Sequence, residues 1–432
     1  MKVAFSTLGC RVNQYESEAM MERFIREGYE IVDFEDFADT YVINTCTVTN
    51  MGDKKSRQMI GRARRRNNEA VIAVVGCYSQ VAPEEVSKIE GVDVVLGTRN
   101  KGEIVYWVNR AREDNEKFIQ VNDVLRNNVF EDLSIEEYQD KTRAFLKIQD
   151  GCNKFCSYCL IPYARGAVCS KEPEKVLEEV KELAKNGFKE IILTGIHIAS
   201  YGTDLKEKVT LVEVLETIDK VDGVERIRIG SIDPTFFTED TIDRIAKLKK
   251  ICPHFHLSLQ SGCDETLKRM NRRYTTKKYK DIVNELREKL QDVSITTDII
   301  VGFPGETEEE FEVTYKFLKE IKLSKMHIFK YSPRKGTKAE SMKDDVNGNL
   351  KEDRSNRLIE LNKINEGDFM ESFIGRSMEV LYEQKSSHFE GSYEGYTPNY
   401  IKVLTESNEV IEDGNIILTE LIATKDDYME GR

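Results

Sequence analysis

The chain reads as an α/β protein in three parts: an amino-terminal parallel-sheet α/β domain, a central partial (β/α) barrel and a carboxy-terminal small β-barrel. Short apolar runs alternate with helical segments about every thirty residues from the start, which is βαβ spacing. The alternation restarts with larger helices at Arg143. After Phe373 the pattern turns to period-two stretches broken by Gly391, Gly395, Pro398 and Gly414. A chain of 432 residues exceeds one ordinary core. The expected domains are 1–125, 140–371 and 372–432.

In the first part, residues 3–5 lead to Cys10, residues 41–44 to Cys46 and residues 71–75 to Cys77, and each run reads as a short strand. Residues 14–27, stopped by Gly28, and residues 51–67 read as the helices between them. Residues 92–96 supply a further strand, and the charged stretch 110–140 reads as a linker with one edge strand. Barrel strands are expected at 144–148, 190–194, 226–229, 254–260, 294–301 and 326–331. Chemistry in such a barrel sits at the carboxyl ends of the strands. A charged helix over 350–371 closes it, and residues 378–383, 400–404 and 416–422 are the strands of the last part.

With 40% hydrophobic and 33% charged residues, the composition is that of a soluble globular protein, and no apolar run approaches the roughly 18 residues a membrane span needs. The start MKVAFSTLGC lacks the basic region of a signal peptide, so a cytoplasmic protein is expected. Nine cysteines, an odd number at spacings unlike a secreted scaffold, point to metal or catalysis rather than disulfides. A net charge of −13 argues against a surface that attracts nucleic acid everywhere. The exception is residues 54–66, where Lys54, Lys55, Arg57, Arg62, Arg64, Arg65 and Arg66 form a basic run that suits RNA phosphates or, more blandly, a solvated helix face.

The strongest chemical signal is Cys152, Cys156 and Cys159 in GCNKFCSYC, just after a strand. Thiolates are the natural ligands of iron-sulfur clusters, and three of them leave one iron of a cubane open. S-adenosylmethionine (SAM) can chelate that iron through its amino and carboxylate groups. The alternative is zinc, for which Cys169 is the only nearby fourth ligand. A second set is distributed: Cys10, Cys46 and Cys77 each follow one of the first three strands, so a parallel sheet places all three at its carboxyl edge, where open α/β sheets bind ligands. Singly, each would read as a buried apolar residue. Together they suggest a second three-coordinate cluster. Cys169, Cys252 and Cys263 read as core thiols.

The stretches TLGCRVNQYES, INTCTVT, VVGCYSQ, CNKFCSYCLIPYARG, LTGIHIASYG, TTDIIVGFPGET and FKYSPRKGT resemble the methylthiotransferase family of radical SAM enzymes over essentially the whole length. Within it the chain is most similar to the bacterial threonylcarbamoyladenosine tRNA methylthiotransferases. The resemblance implies an auxiliary 4Fe-4S cluster on Cys10, Cys46 and Cys77, a SAM-binding 4Fe-4S cluster on Cys152, Cys156 and Cys159, and a carboxy-terminal TRAM domain that grips RNA. The implied reaction replaces a hydrogen on adenine carbon 2 with a methylthio group. That hydrogen is too weakly acidic for a side-chain base, so the cofactors supply the chemistry. Partners would be tRNA, a reducing donor such as flavodoxin or ferredoxin, and a sulfur source. Sister activities on isopentenyl-adenosine tRNA or a ribosomal-protein aspartate share the clusters, and an RNA-binding protein with structural metal sites is the reading from another class.

Thr194 and Gly195 end the second barrel strand, where radical SAM enzymes usually contact the SAM amino group. Ser231, Gln260 and Asp298, near the ends of later strands, are candidates for its ribose or adenine. The GFPGET turn lacks the Lys of a phosphate loop and reads as the entry to a helix capped by Thr307. A threonylcarbamoyl group carries a carboxylate, so its pocket needs a cation or well-placed donors. Arg11, next to Cys10, is the first candidate, and His197, in GIHIASYG, the second. In the last part Arg376, Lys385, Lys402, Lys425 and Arg432 are outnumbered by acids, leaving Phe389, Tyr393, Tyr396 and Tyr400 to stack bases.

Overall fold

A computed structural model describes residues 1–126, 129–133, 135, 142–386, 391–407 and 409–432. The chain opens with β1 (Lys2–Thr7), α1 (Arg11–Arg26), β2 (Glu30–Val32), β3 (Thr40–Thr45), α2 (Asn50–Arg66) and β4 (Val71–Gly76). It continues through the short helices α3 (Cys77–Val81) and α4 (Pro83–Ser87), then β5 (Val94–Leu96), α5 (Ile104–Asp114) and β6 (Phe118–Gln120). The strands form one parallel sheet in the order β2-β1-β3-β4-β5-β6. β3 and β4 are buried at every position, as a parallel sheet covered on both faces requires, and this is why they read as unbroken apolar runs. The expected edge strand of the 110–140 stretch is β6.

The second part begins with β7 (Arg143–Asp150), α6 (Ile161–Arg165), β8 (Cys169–Ser170), α7 (Pro173–Lys185), β9 (Glu190–Gly195), α8 (Leu211–Ile218) and β10 (Arg226–Ile229). There follow α9 (Glu239–Ile245), β11 (His254–His256), α10 (Asp264–Arg269), α11 (Thr276–Lys289), β12 (Ser294–Val301), α12 (Glu308–Ile321), β13 (Lys325–Lys330) and α13 (Gly348–Glu371). Two sheets, β10-β9-β7-β8 and β11-β12-β13, are joined by the parallel bridges Ile227 to Ile251 and Ile232 to Leu257, giving a partial barrel around one apolar core. The strand expected over 254–260 is regular only at its first three residues. Gln260 lies in the left-handed region at φ +71°, which bends the chain out of the pleat and leaves a single bridge to Ile299. Thr307 caps α12 in a capping box with Glu310, as expected of the GFPGET turn.

The last part is a closed barrel, β14-β15-β16-β18-β17, made of β14 (Ser377–Lys385), β15 (Ser392–Tyr396), β16 (Lys402–Glu406), β17 (Ile416–Thr424) and β18 (Met429–Gly431). β15 and β18 escape sequence reading because each is short and carries Glu and Gly instead of an apolar run. The strand expected from Tyr400 starts only at Lys402, because Tyr400 has φ +71° and closes a turn onto Thr397. Among the described residues no helix is long and apolar enough to cross a membrane.

This small barrel is clamped to the larger one by guanidinium groups. Arg226 donates to the carbonyls of Tyr396 and Glu379, both at 3.0 Å, and Arg228 to that of Pro398 at 2.9 Å. Glu190, fully buried, accepts from Arg228 at 2.6 and 3.2 Å and lies 3.9 Å from Arg226. Removing one member of a buried ion pair strands the other's charge. Glu190→Ala should therefore lower unfolding stability by about 3–5 kcal/mol and open the β14–β18 barrel to proteolysis, as read by urea denaturation and limited trypsin digestion.

Candidate active site

The carboxyl ends of β1, β3 and β4 bring Cys10, Cys46 and Cys77 together. Cys10 is the N-cap residue of α1, and Cys46 lies beside the first turn of α2, whose N-cap Thr49 accepts from the Gly52 amide at 3.2 Å. Helix N-termini favour anionic sulfur. The loops meet so closely that a Cβ on Gly9, at φ +108°, would stand 2.8 Å from Cys46 Cβ and 3.0 Å from its Sγ. The neighbouring thiols are near enough to disfavour ionisation of Cys10 and Cys46. Burial is the larger effect, pushing Cys46 up to about 12 and raising Cys10 as well. The Val48 amide donates to Cys46 Sγ at 3.5 Å, and Arg165 Nε donates to Cys77 Sγ at 3.3 Å.

The second trio occupies the loop after β7. Lys154 and Ile161 amides donate to Cys152 and Cys159 Sγ at 3.5 and 3.4 Å, and Arg272 Nη1 donates to Cys156 Sγ at 3.4 Å. Phe155, at φ +47°, turns the loop and is held by Asn271 Nδ2 on its carbonyl at 2.9 Å. Burial pushes Cys152 up to about 11 and Cys159 up to about 12, so metal must displace protons to bind. Neighbouring cysteines add to both shifts. Among the described residues no three His, Cys, Asp or Glu converge on a single ion. Each trio instead has N–H donors aimed at its sulfurs, and this suits thiolates at the separate corners of an iron-sulfur cluster. Cys169 is buried beside Asp150 and Arg99, and Cys252 and Cys263 are buried too.

Two cavities lie beside the first trio, one of them reaching Cys10. The first, about 670 Å³, is walled by Cys10, Arg11, Thr194, Gly195 and Ser231. The second, about 480 Å³, shares Arg11 and Ser231 with it and runs along the barrel strands past His254, His256 and Asp298 to Tyr400 of the small barrel. Thr194, Gly195, Ser231, Asp298 and Arg11 thus converge. Gln260 lines neither cavity; its backbone pairs with β12 beside Asp298. His197 is set apart, with Nδ1 2.7 Å from Ser200 Oγ and Nε2 3.8 Å from Asp233 Oδ2. Against the upward push of burial, His197 and Arg272 hold Asp233 well below the usual carboxylate range. Asp233 and Arg272 therefore link His197 to Cys156, a chain the sequence alone does not reveal.

Arg11 lies 4.8 Å over the Phe145 ring and donates to Tyr400 OH at 3.3 Å and Gln14 Oε1 at 3.4 Å. Tyr400 in turn stacks between His254 at 4.7 Å and Tyr396 at 5.0 Å, with Arg228 4.5 Å over its ring. Tyr396 and Tyr400 face the large barrel, and Tyr393 is in the small barrel's core, so the expectation of a base-stacking face on these three fails for Tyr393. Phe389 lies outside the described residues. Arg376, Lys402, Lys425 and Arg432 are held by Asp292, Glu394, Glu430 and Glu420.

The basic run forms most of α2. Lys54, Lys55 and Arg57 fall in its first two turns near Cys46, whereas Arg62, Arg64, Arg65 and Arg66 lie at the far end, where the helix has run back to the opposite edge of the sheet. Arg62 and Arg66 share Glu35, and Arg57 pairs with Glu85.

Residues 146–318 match the radical SAM superfamily, and residues 2–97 match an uncharacterized protein family, UPF0004. The threonylcarbamoyladenosine tRNA methylthiotransferase MtaB of Bacillus subtilis (strain 168) is 44% identical across 100% of this chain and 96% of its own. The chain belongs to the radical SAM methylthiotransferase family. The MtaB of Aquifex aeolicus is 43% identical over 94% of this chain and 97% of its own. The tRNA-2-methylthio-N(6)-dimethylallyladenosine synthase of Clostridium botulinum (strain Okra / Type B1) is 36% identical over 90% and 88%. The radical SAM methyltransferase TsrM from Kitasatospora setae shares the fold, with a TM-score of 0.57 and 15% identity over 77% of this chain and 76% of that one. Radical SAM enzymes bind a 4Fe-4S cluster and SAM, and methylthiotransferases carry two clusters. For this methylthiotransferase the two trios should be separable. Cys152→Ala, Cys156→Ala and Cys159→Ala combined should abolish deoxyadenosine release and roughly halve the bound iron and sulfide. Loss of all iron, or continued SAM cleavage, would contradict two independent sites.

Proposed function

We propose that the protein methylthiolates carbon 2 of threonylcarbamoyladenosine next to the anticodon in tRNA, in the cytoplasm, with Cys10, Cys46 and Cys77 holding the auxiliary cluster and Cys152, Cys156 and Cys159 the SAM-binding one. The units are an auxiliary-cluster domain over 1–125, a radical SAM domain over 140–371 and a TRAM domain over 372–432. When bound, the clusters and two SAM molecules supply the reducing electron, the hydrogen-abstracting radical and the methylthio group. The protein's own residues hold the target carbon in line between them. Thr194, Gly195, Ser231, Gln260 and Asp298 serve SAM, and His197 keeps Asp233 and Arg272 in place beside Cys156. Electrons come from a flavodoxin or ferredoxin, and sulfur from a separate donor.

The observation that carries the substrate is Arg11. Its guanidinium stands where the two cavities meet, next to Cys10, and its hydrogen bonds go only to the neutral groups of Gln14 and Tyr400. No carboxylate among the described residues pairs with it. A threonylcarbamoyl carboxylate would complete it with a bidentate contact. An isopentenyl group needs only apolar walls, whereas this cavity is lined by His254, His256, Asp298, Lys325 and His327. The MtaB name of the 44% identical relative points the same way.

Arg11→Gln should reduce methylthiolation of threonylcarbamoyladenosine about tenfold or more, the effect of losing a charge-assisted hydrogen bond, while tRNA-free SAM cleavage stays unchanged. RNA phosphates would be met by Lys54, Lys55, Arg57, Arg62, Arg64, Arg65 and Arg66. Neutralising Arg62, Arg64, Arg65 and Arg66 should weaken tRNA binding and flatten its salt dependence by about one unit per lost contact, and an unchanged slope would reduce the run to a solvated helix face. The assignment as a whole is tested by mass spectrometry of tRNA nucleosides from cells lacking the protein. Methylthio-threonylcarbamoyladenosine should vanish and its unmodified precursor accumulate; disappearance of the isopentenyl product instead would defeat it.

A further inference from the structure

Arg165 follows the SAM-binding trio in sequence, yet its side chain leaves that loop and enters the other one. It ends α6, and its guanidinium is completely buried. Nε donates to Cys77 Sγ at 3.3 Å, and Nη2 donates to Asn13 Oδ1 at 2.6 Å. Asn13 in turn donates through Nδ2 to the carbonyl of Leu8 at 2.7 Å and to that of Thr45 at 2.9 Å. Leu8 and Thr45 are the residues that lead into Gly9-Cys10 and into Cys46. One guanidinium, acting directly and through one amide, therefore fixes all three loops of the auxiliary trio. A lysine is a single point donor and cannot make this set of contacts at once.

The charge behind Arg165 is unbalanced. Glu16 and Asp150, both with no exposed surface, face four cations: Arg165, Lys147, Lys101 and Arg99. Arg165 Nη1 lies 2.5 Å from Glu16 Oε1 and 3.3 Å from Asp150 Oδ2, and Lys147 lies 2.8 and 2.7 Å from the same two groups. Lys101 pairs with Glu16, and Arg99 lies 3.3 Å from Asp150. Glu131, whose Oε1 accepts the Gly102 amide at 2.9 Å, is a further described carboxylate within electrostatic reach of Lys101 and Lys147. Even with it ionised, cations exceed carboxylates by one among the described residues. An uncompensated buried charge is costly unless an anion adjoins it. The side of this group where Arg165 Nε emerges is Cys77. A cluster held by three thiolates is such an anion, and hydrogen bonds and positive charge at its sulfurs favour the reduced state.

Resting on the assignment of Cys10, Cys46 and Cys77 to the auxiliary cluster, we propose that Arg165 is a positioning residue for that cluster: it ties the three ligand loops to the barrel and delivers the counter-charge of the Glu16/Asp150 network, which raises the cluster's reduction potential. The SAM-binding trio has a separate donor, Arg272, already paired with Asp233 at 3.1 Å, so the two potentials are set independently.

The test is an EPR-monitored reductive titration of the reconstituted full-length protein, in which the SAM-binding cluster is recognised by the change of its signal on adding SAM. Arg165→Met should shift the reduction equilibrium of the other cluster about tenfold toward the oxidised form, about 59 mV for a one-electron couple, with the SAM-responsive signal unmoved. Arg165→Lys, which keeps the charge and loses the fork, should fall between. Glu16→Gln removes a negative charge and should move the same potential upward. A wild-type potential in Arg165→Met, or an equal shift of both clusters, overturns the inference. Should Arg165→Met fail to retain the cluster, an unchanged or lowered potential in Glu16→Gln overturns it. Iron and sulfide sufficient for only one cluster in the wild-type protein would sink the two-site assignment itself, which the same samples reveal before any titration.

Discussion

The buried ion network of Glu16 and Asp150 with Arg165, Lys147, Lys101 and Arg99 is the interaction on which the rest of the molecule depends. Glu16 comes from α1 in the first part, whereas Lys147 and Asp150 lie on β7, the first strand of the barrel, and Arg165 ends α6. Such a network adds little net stability when complete, because desolvation offsets attraction, but it is severely penalised when a partner shifts. It therefore acts on geometry. It holds the carboxyl edge of the parallel sheet, with its three thiols, against the carboxyl ends of the barrel strands.

A second set of buried charges does the same at the other end. Glu190 on β9 organises Arg226 and Arg228, whose donors reach backbone carbonyls of the small barrel. That clamp seats the Tyr396–Tyr400 turn against His254 and beside Arg11, so the cavity has walls from all three parts of the chain. The consequence is chemical. At the junction of the two cavities stands Arg11, whose hydrogen bonds go to the neutral groups of Gln14 and Tyr400.

Much of this was legible in the sequence because it follows from strand periodicity. Parallel strands share a carboxyl edge, so Cys10, Cys46 and Cys77 had to converge whatever the details of packing, and Arg11 had to accompany Cys10. What was hidden depends on contacts between residues far apart in the chain. Nothing near Arg165 announces that it serves Cys77, because the meeting requires docking of one sheet on the other. The aromatic run of the small barrel looked uniform, yet β15 alternation sends Tyr393 into the core and leaves Tyr396 outside it. The basic run was recognisable as a helix. That its arginine-rich end points away from the cysteines, with Glu35 neutralising part of it, follows from the βαβ crossover and from a carboxylate distant in sequence.

The central claim is that two thiol trios on different sheets hold two clusters at one chamber. Anomalous X-ray scattering at the iron edge from crystals of the anaerobically reconstituted protein tests it most directly. Two iron positions are predicted, one capped by Cys10, Cys46 and Cys77 and one by Cys152, Cys156 and Cys159, with the cavity walled by Arg11, Thr194 and Ser231 between them. A single iron position, or iron bound at any other cysteine, would contradict the account.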